Sequence, residues 1–433
     1  MIIFSSYIGA LFISKTRTAK DRYLRKIVLG CTILVILLPF FMVKAQVFVT
    51  VISFVFKRNS RYVIIPLGIS FFTMQMIAYL VDVYYGKITA QKNFFKYSLF
   101  ISFFPQIIQG PIPRYEQLEP QLVTGHKFNE ENFTRGFHLI IWGFFLKLMI
   151  ADKAAVVVNT IFDNSDLYKG MYVLVGGVLY SIQLYTDFLS CVTLAKGVAM
   201  LFGIRLMDNF KHPYFSVSIK EFWGKWHLSL SSWLKDYIYI PLGGNRKGVF
   251  RKYANVVITF SVSGIWHGWG LKYVIWGLMH AVYQIVGEWT YNIREKIYTV
   301  LGFEKESPEK RFLKRIITFI LVMFAWIIFR AETLKDGISM LMSVFRVYNP
   351  WILFDDSIFL LGLSWKEWIV LAISLLIFIK VSKKQEQHSI SQWLVSRPLI
   401  IRWLIYIFTI IVIFVYGTYG FGFNAQEFIY GGF

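Results

Sequence analysis

The sequence predicts an all-α, polytopic integral membrane protein with about ten transmembrane helices, together with re-entrant or interfacial helices around a central cavity. Of its 433 residues, 56% are hydrophobic and only 16% are charged, which is too apolar for an ordinary soluble protein. Long apolar segments recur along the chain, and shorter ones are broken by proline and glycine. Because the sequence contains no internal repeat and no clean linker, residues 1–433 are predicted to form a single membrane-embedded domain.

The formal net charge of +21 is spread over short connectors between apolar runs instead of forming one basic domain. This distribution argues against a nucleic-acid partner and favours membrane lipids, because basic connectors face the anionic cytoplasmic leaflet. The first basic connector, residues 15–26, is therefore predicted to be cytoplasmic. Cys31 and Cys191 both lie in apolar stretches, so we expect neither a disulfide framework nor a metal site.

The predicted spans follow the long apolar segments. These lie near Ile27–Val43, Tyr62–Tyr85, Gly136–Ile150, Met171–Ile204, Val256–Val286, Ile316–Phe329, Ile358–Ile379 and Leu399–Tyr416. Shorter runs such as Val47–Phe56 bring the total to about ten. The opening run, Met1–Ser14, is shorter than the ~20 residues of a spanning helix and lacks the features of a signal peptide. The charged connector Glu295–Arg315 is expected to be a solvated loop.

Two segments are too broken to cross a bilayer. Ser98–Gln109 contains Pro105 and ends in a Gly-Pro-Ile-Pro run, and Ile219–Arg251 alternates tryptophan with charged residues before a Pro-Leu-Gly-Gly break. Irregular backbone at membrane depth is tolerated only where it is buried in protein or lines a water-filled space. These segments therefore predict re-entrant or interfacial helices around a cavity.

Ionisable residues within or near the apolar segments are functional candidates, because they are costly to place there. They are Lys44, Asp82, His138, Lys147, Asp187, Lys196, His267 and His280. Lys44 and Lys147 are expected to extend to the membrane interface. Asp187 and Lys196 fall on opposite faces of a straight helix, so each is expected to need a partner elsewhere.

His267 differs from the others because Gly264 and Gly268 bracket it, so backbone or substrate can approach closely. A neutral histidine there could act as a general base, or could equally be a buried histidine that donates to a carbonyl between helices. His280 would lie ~20 Å further along a continuous helix and is predicted to be structural. His227, in the tryptophan-rich segment, is either a second active-site residue or an interfacial one.

Sequence motifs of soluble enzymes are missing: there is no G-x-S-x-G elbow, phosphate-binding loop, H-E-x-x-H motif or dinucleotide fingerprint. A transporter is the principal rival, because broken helices and buried charges are also typical of transporters.

Three blocks of sequence resemble the membrane-bound O-acyltransferase family. The first block comprises Ile69–Thr73, Phe103–Gln106 and Gly110–Tyr115; the second Glu221–Leu230, Trp233–Tyr237 and Tyr239–Arg246; the third Ser263–Gly268 and Trp276–His280. The similarity reaches from about residue 62 to the carboxyl end, with a core signature region at about 62–290. Long blocks of this kind rarely arise by chance.

The resemblance implies that His267 is catalytic and that His227 belongs to the same active site. The run Pro241–Arg246 is similar to alginate and polysaccharide O-acetyltransferase membrane subunits. It therefore implies passage of an acyl group, expected to be acetyl, from a cytoplasmic thioester such as acetyl-CoA towards an extracytoplasmic glycan. The implied location is the bacterial cytoplasmic membrane, with no tightly bound cofactor and with a separate acetyl-transferring partner of the SGNH type.

The alternatives are D-alanyl transfer to teichoic acid by the same fold, transport of a glycan or lipid with His267 as a proton relay, and a catalytically inactive scaffold. Two features depart from the family's pattern. The amino terminus is short, which suggests a truncated gene model, and Leu189-Ser190-Cys191 replaces the residues expected after Asp187-Phe188. The second departure is expected to alter the cavity wall.

Overall fold

Helices make up all the regular structure in the residues that the computed structural model describes, which are 1–16, 21–45, 68–304, 307–385 and 390–419. In chain order they are α1 (Ile2–Lys15), α2 (Arg22–Lys44), α3 (Ile69–Tyr85), α4 (Phe94–Ile101), α5 (Tyr115–Val123), α6 (Glu130–Phe145), α7 (Asp152–Phe162), α8 (Met171–Leu201), α9 (Ile219–Trp223), α10 (Leu228–Leu234), α11 (Val249–His267), α12 (Leu271–Trp289), α13 (Tyr291–Val300), α14 (Pro308–Arg330), α15 (Leu334–Arg346), α16 (Trp365–Gln385), α17 (Ile390–Val395) and α18 (Leu399–Tyr416). Two π-helical segments, Leu146–Ala151 and Lys235–Tyr239, follow α6 and α10. The prediction of an all-α fold is confirmed for the described part of the chain.

Within those ranges, α2, α8, α14 and α18 are both long and apolar enough to cross a bilayer. These four helices support the membrane prediction, but they do not confirm about ten spans. Several predicted segments form shorter or divided helices; Gly136–Ile150, for example, is shared between α6 and a π-helical segment. Val47–Phe56 lies outside the described residues, as does the end of the chain.

Helix α8 forms the centre of the bundle and packs against α6, α7 and α14. Glycine allows the closest of these approaches, since a Cβ atom on Gly136 of α6 would lie 2.8 Å from the carbonyl oxygen of Gly197 in α8. A Cβ atom on Gly197 would meet the Gly136 carbonyl oxygen at the same distance. Small residues that bring two backbones into contact are a common basis of helix packing in membranes.

The segment Val256–Val286 divides into two helices instead of forming one. The chain reverses at residues 268–270, and α12 packs back along α11. The contact is backbone to backbone, because a Cβ atom on Gly264 would lie 2.2 Å from the carbonyl oxygen of Tyr273, and one on Gly277 would lie 2.3 Å from that of Phe260. His267 is thereby held at the end of α11, beside the turn.

Both segments predicted to be too broken to cross are confirmed as short elements. Ser98–Gln109 holds the end of the eight-residue helix α4 and then a series of turns. Ile219–Arg251 forms α9, α10, the second π-helical segment and a glycine turn before α11 begins. The prediction that Glu295–Arg315 forms a loop was wrong, because α13 and α14 cover most of it, although most of its described residues are exposed to solvent as predicted. Glu295 forms ion pairs at 2.8 Å with both Lys310 and Lys314.

Helices α2 and α3 define the two ends of the molecule used below. Arg25, near the start of α2, donates a hydrogen bond of 2.5 Å to the carbonyl oxygen of Tyr84, near the end of α3. We call this the connector end, because α2 begins there directly after the basic connector. The far end holds Lys44, at the close of α2, and Gly68, where α3 begins.

Candidate active site

His267 closes α11 and is enclosed by aromatic rings. Its side chain is only 3% exposed. The imidazole lies 4.8 Å from the ring of Trp266, 5.0 Å from that of Trp276 and 5.4 Å from that of Phe329, measured between centroids. Phe329 comes from α14, and no sequence signal connected it to the histidine. The site is therefore apolar on at least three sides, an environment that favours a neutral imidazole.

The glycines that bracket His267 make room for α12. A Cβ atom on Gly264 would collide with the backbone of Tyr273, and one on Gly268 would lie 2.2 Å from the Tyr273 ring. The sequence allowed either backbone or substrate to come close to these glycines, and in the structure it is Tyr273 of α12 that does so. These glycines thus fix the position of His267 relative to α12.

His227 precedes α10 in a conformation that is unusual for a residue with a side chain. Its backbone has φ 47° and ψ 56°, in the left-handed region. Such a conformation costs on the order of 1–3 kcal/mol and is often retained at functional sites. Asn209 holds the turn, because its carbonyl oxygen accepts from Leu228 N at 2.9 Å and its Oδ1 accepts from Ser229 N at 3.0 Å. The sequence carried no signal of this strained backbone.

The two histidines predicted for the site meet at Trp266. The ring of His227 lies 6.0 Å from that of Trp266, which in turn contacts His267. Trp266 Nε1 donates to the carbonyl oxygen of Ser70 at 3.3 Å, and the Phe71 ring lies 5.8 Å away. All three sequence blocks therefore converge on one indole ring.

His280 lies much closer to this site than a continuous helix would place it. The assumption that His267 and His280 lie on one continuous helix was wrong, because the chain reverses at residues 268–270. Both histidines therefore contact the ring of Trp276. His280 is fully buried, and its Nδ1 accepts a hydrogen bond of 3.2 Å from Trp223 Nε1. A structural role for His280 stays a prediction that this hydrogen bond supports.

Lys147 and Lys196 form ion pairs away from the site. Lys147 was expected to extend to the interface, but it forms ion pairs with Asp152 at 3.0 Å and Asp187 at 2.7 Å in the core. Lys196 pairs with Asp208, so the expectation that Asp187 and Lys196 each need a partner elsewhere is confirmed.

Two further contacts hold the second block in place at the connector end. Tyr237 donates to Asp82 at 2.6 Å, and Arg114 pairs with Asp236 at 2.8 Å. No sequence spacing related these four residues in advance. The contacts place the second block against the end of α3.

A cavity of about 980 Å³ is lined largely by the broken segment 219–251, as its sequence predicted. Neither His227 nor His267 lines it. Trp223 forms part of its wall and contacts Trp276 at 5.9 Å, and Trp276 contacts His267. The indole ring of Trp276 thus lies between Trp223, in the wall of the cavity, and the buried His267.

The cavity is strongly basic. Its cationic lining consists of Lys220, Lys235, Arg246, Lys247 and Lys252. Glu288 also lines it and pairs with Lys252; among the described residues, no other carboxylate lies within ion-pair distance of the remaining four cations. A concave surface with several uncompensated positive charges attracts anionic ligands.

Comparisons with known proteins agree on one family. Residues 88–331 match the model of the membrane-bound O-acyltransferase (MBOAT) family. The chain is 38% identical over 290 residues to a probable alginate O-acetylase of Pseudomonas putida, covering 67% of this chain and 57% of that protein. It is 33% identical over 371 residues to a peptidoglycan O-acetyltransferase of Helicobacter pylori, covering 79% and 68% of the two chains.

A more distant similarity is to a teichoic acid D-alanyltransferase of Bacillus subtilis, with 30% identity over 280 residues and coverage of 61% and 69%. The chain spans little more than half the length of the alginate O-acetylases that it matches.

Proposed function

Since the chain belongs to the membrane-bound O-acyltransferase family, we propose that it transfers an acyl group, in our proposal acetyl, from a thioester donor towards a hydroxyl of an extracytoplasmic polysaccharide or cell-wall polymer. The observation that carries this proposal is the convergence of the three family-like blocks on Trp266, between His227 and His267. Acetyl is favoured over D-alanyl because identity to the acetyltransferring relatives is 33–38%, against 30% for the D-alanyltransferase.

In the proposed reaction, His267 is the general base. Its neutral imidazole accepts the proton of the acceptor hydroxyl while the hydroxyl oxygen attacks the thioester carbonyl carbon. A carbon–oxygen bond forms, the carbon–sulfur bond breaks, and the leaving thiolate recovers the proton from His267. His227 assists by hydrogen bonding or by positioning the reacting groups.

The basic cavity supports a donor whose carrier portion bears phosphate groups. Lys and Arg side chains form strong, charge-assisted hydrogen bonds to phosphate oxygens. Four of these cations have no carboxylate partner in the part of the chain that the structure describes, and they would attract such a carrier from solution. A volume of about 980 Å³ is at the upper end of small-molecule sites, as a donor of the size of acetyl-CoA requires.

The cavity lies towards the connector end, because Lys235 and Tyr239 of its wall flank Tyr237, whose hydroxyl donates a hydrogen bond to Asp82 at the end of α3. Basic connectors are retained on the cytoplasmic side of multi-pass proteins, so we assign this end to the cytoplasm of a bacterial cell. His267 contacts Lys44 at the far end, and the helix from Phe260 of the cavity wall to His267 rises ~10 Å. The acyl group would therefore enter from the cytoplasm and react deeper in the membrane.

Transfer to a polymer also needs a route outside the membrane. We propose that a separate extracytoplasmic protein of the SGNH type completes delivery to the glycan. The family resemblance supports this partner, and the names of the relatives, which include alginate and peptidoglycan, support a polymer as the final acceptor.

The decisive assay uses this chain together with its proposed extracytoplasmic partner in lipid vesicles, with acetyl-labelled CoA and a soluble oligosaccharide. The proposal expects labelled ester and free thiol in equal amounts. Translocation of unmodified oligosaccharide without ester formation would instead favour the rival function, a glycan transporter with His267 as proton relay.

A further inference from the structure

A second cavity, of about 540 Å³, adjoins the basic cavity and shares Lys220, Lys252 and Glu288 with it. The end of α12, helix α13 and the start of α14 supply most of its wall. Its volume falls within the range of roughly 300–1,000 Å³ that is typical of small-molecule sites. The second cavity is therefore large enough to hold a ligand of its own.

The second cavity lies at the connector end. Helix α12 begins beside the far-end turn that follows His267, and its 19 residues rise ~28 Å towards the connector end. Helix α14 runs in the opposite direction, since Phe329, close to its carboxyl end, contacts His267. The end of α12 and the start of α14 therefore meet at the side that we assign to the cytoplasm.

Charged and apolar residues line the second cavity at different depths. On α14, Lys314 is followed by Ile317 and Leu321, which lie ~4.5 and ~10 Å further from the connector end. On α12, Tyr283 lies deeper than Glu288 in the same sense. The polar part of the cavity is thus nearer the membrane surface and the apolar part nearer the bilayer interior, which is also the order of the headgroup and chains of a phospholipid.

The second cavity reaches the lipid-facing side of the bundle. Ile316 and Ile320 do not line it, and each is 39% exposed on α14, a helix long and apolar enough to cross a bilayer. Ile317 lies between them, lines the cavity and is 41% exposed. A lipid chain could therefore enter the cavity sideways from the bilayer.

Helix α13 places this region at the membrane surface. Its residues Ile293, Ile297 and Val300 follow one another at helical spacing and are 51–87% exposed, whereas Tyr298 on another side of the helix is buried. A helix with one exposed apolar face and one polar face lies in the interface between lipid and water. The cavity that it borders is then at the depth of the lipid headgroups.

The polar part of the second cavity carries an excess of positive charge. Its cations are Lys220, Lys252, Arg294 and Lys314, and its carboxylates are Glu288 and Glu295. Lys252 pairs with Glu288, and Lys314 pairs with Glu295. Among the described residues, no carboxylate lies within ion-pair distance of Lys220 or Arg294. These two cations can therefore bind an anion.

Arg294 is the cation that distinguishes the second cavity from the basic one, because it lines only the former. Its Nη2 donates to the carbonyl oxygen of Gly287 in the last turn of α12, which holds the guanidinium at the wall. A guanidinium has five N–H donors, and their planar arrangement matches the oxygens of a phosphate group. Arg294 is thus suited to bind a phosphate.

We infer that the second cavity binds an anionic phospholipid of the cytoplasmic leaflet, with its phosphate beside Arg294 and Lys220 and its chains along Ile317 and Leu321. Basic pockets between transmembrane helices on the cytoplasmic side bind the headgroups of such lipids. A free anion such as the phosphate groups of coenzyme A would not require the apolar part that reaches the bilayer. The choice of leaflet rests on the orientation proposed above, whereas lipid binding requires no acyl transfer.

The test measures binding of phosphatidylglycerol to this chain in neutral detergent by native mass spectrometry. We expect the affinity of Arg294→Gln to fall roughly tenfold or more, because charge-assisted hydrogen bonds are lost, and Arg294→Lys to keep part of it. Arg311→Gln is the matched control, since Arg311 is exposed on α14 and lines neither cavity, and its affinity should stay unchanged. Phosphatidylcholine, which has no net charge, should bind wild-type protein at least tenfold more weakly. Lys220→Gln, at an exposed residue, serves if Arg294→Gln does not fold.

Equal affinities of folded Arg294→Gln and Arg311→Gln for phosphatidylglycerol would overturn the inference. Glycerol phosphate, which is a headgroup without chains, should not displace the lipid; displacement at equal concentration would make the cavity a site for free phosphate. Weakened binding of coenzyme A with unchanged binding of phosphatidylglycerol in Arg294→Gln would assign the cavity to the donor instead. Failure of the proposed function would give a different result, because phosphatidylglycerol would still bind in an Arg294-dependent manner while no ester formed.

Discussion

The Nζ atom of Lys44, the last residue of α2, lies 3.1 Å from the backbone carbonyl oxygen of His267, the last residue of α11. The final carbonyls of a helix have no partner within it and carry the negative end of the helix dipole. The lysine therefore caps α11 at the candidate catalytic residue. Sequence reasoning expected only an interfacial lysine at this position.

Replacing Lys44 with methionine removes this cap and keeps most of the side-chain volume. We expect a loss of roughly 1–2 kcal/mol of stability, since the bond joins a charged donor to a helix terminus. Thermal unfolding in detergent measures it, with the exposed Lys335→Met as control. Lys44→Arg should restore part of the loss; equal melting temperatures for Lys44→Met and the control would show that the contact stabilises nothing.

The α11–α12 hairpin makes a sharper prediction at Gly264. In Gly264→Ala the new Cβ would lie 2.2 Å from the carbonyl oxygen of Tyr273, so the two helices must separate, at a cost of about 1–3 kcal/mol. Gly30→Ala in α2 is the control, because no heavy atom lies within 4 Å of its added Cβ. It should be neutral or stabilising by up to about 1 kcal/mol. The melting temperature of Gly264→Ala should therefore lie several degrees below that of Gly30→Ala.

The buried ion pairs of Lys147 give a third prediction. Lys147→Met would leave Asp152 and Asp187 close together without their cation, and we expect a loss of about 3–5 kcal/mol. Lys196→Met breaks a pair with the exposed Asp208 and should cost less than about 1 kcal/mol. Comparable melting temperatures for the two variants would contradict the assignment of Lys147 to the core.

These results show which features a single sequence determines. The repeated apolar segments predicted a helical membrane protein, and the proline and glycine breaks located both short segments, because each signal is local to the chain. The α11–α12 hairpin was not predicted, because it depends on a contact between two helices and not on a signal local to the chain. Residues 268–270 sit inside a continuous apolar run, and only the fit of Gly264 against Tyr273 reveals the reversal.

The residues of the candidate site were likewise predicted only in part. His227 and His267 were identified by the blocks around them, and the structure brings both to Trp266. Phe329 and the Lys44 contact could not be predicted, since they depend on the packing of helices remote in sequence.

The proposed orientation is testable by thiol labelling. In a background with Cys31→Ser and Cys191→Ala, a membrane-impermeant reagent added to intact cells should modify Trp269→Cys, since Trp269 is 64% exposed in the far-end turn. It should reach Asn245→Cys, at the exposed cavity rim, only after the cells are permeabilised. The reverse pattern would place the basic cavity outside the cell and invert the proposed route of the donor.

The central claim is that His267 is the base for acyl transfer, and its removal tests this most directly. Transfer of labelled acetyl from CoA to oligosaccharide is measured for His267→Ala in lipid vesicles, beside His138→Ala, whose buried imidazole contacts Tyr406 away from the site. Loss of a general base is expected to lower the rate by 10²–10⁴-fold while CoA binding and folding persist, with His138→Ala close to wild type. Undiminished transfer by folded His267→Ala would remove this histidine from the mechanism.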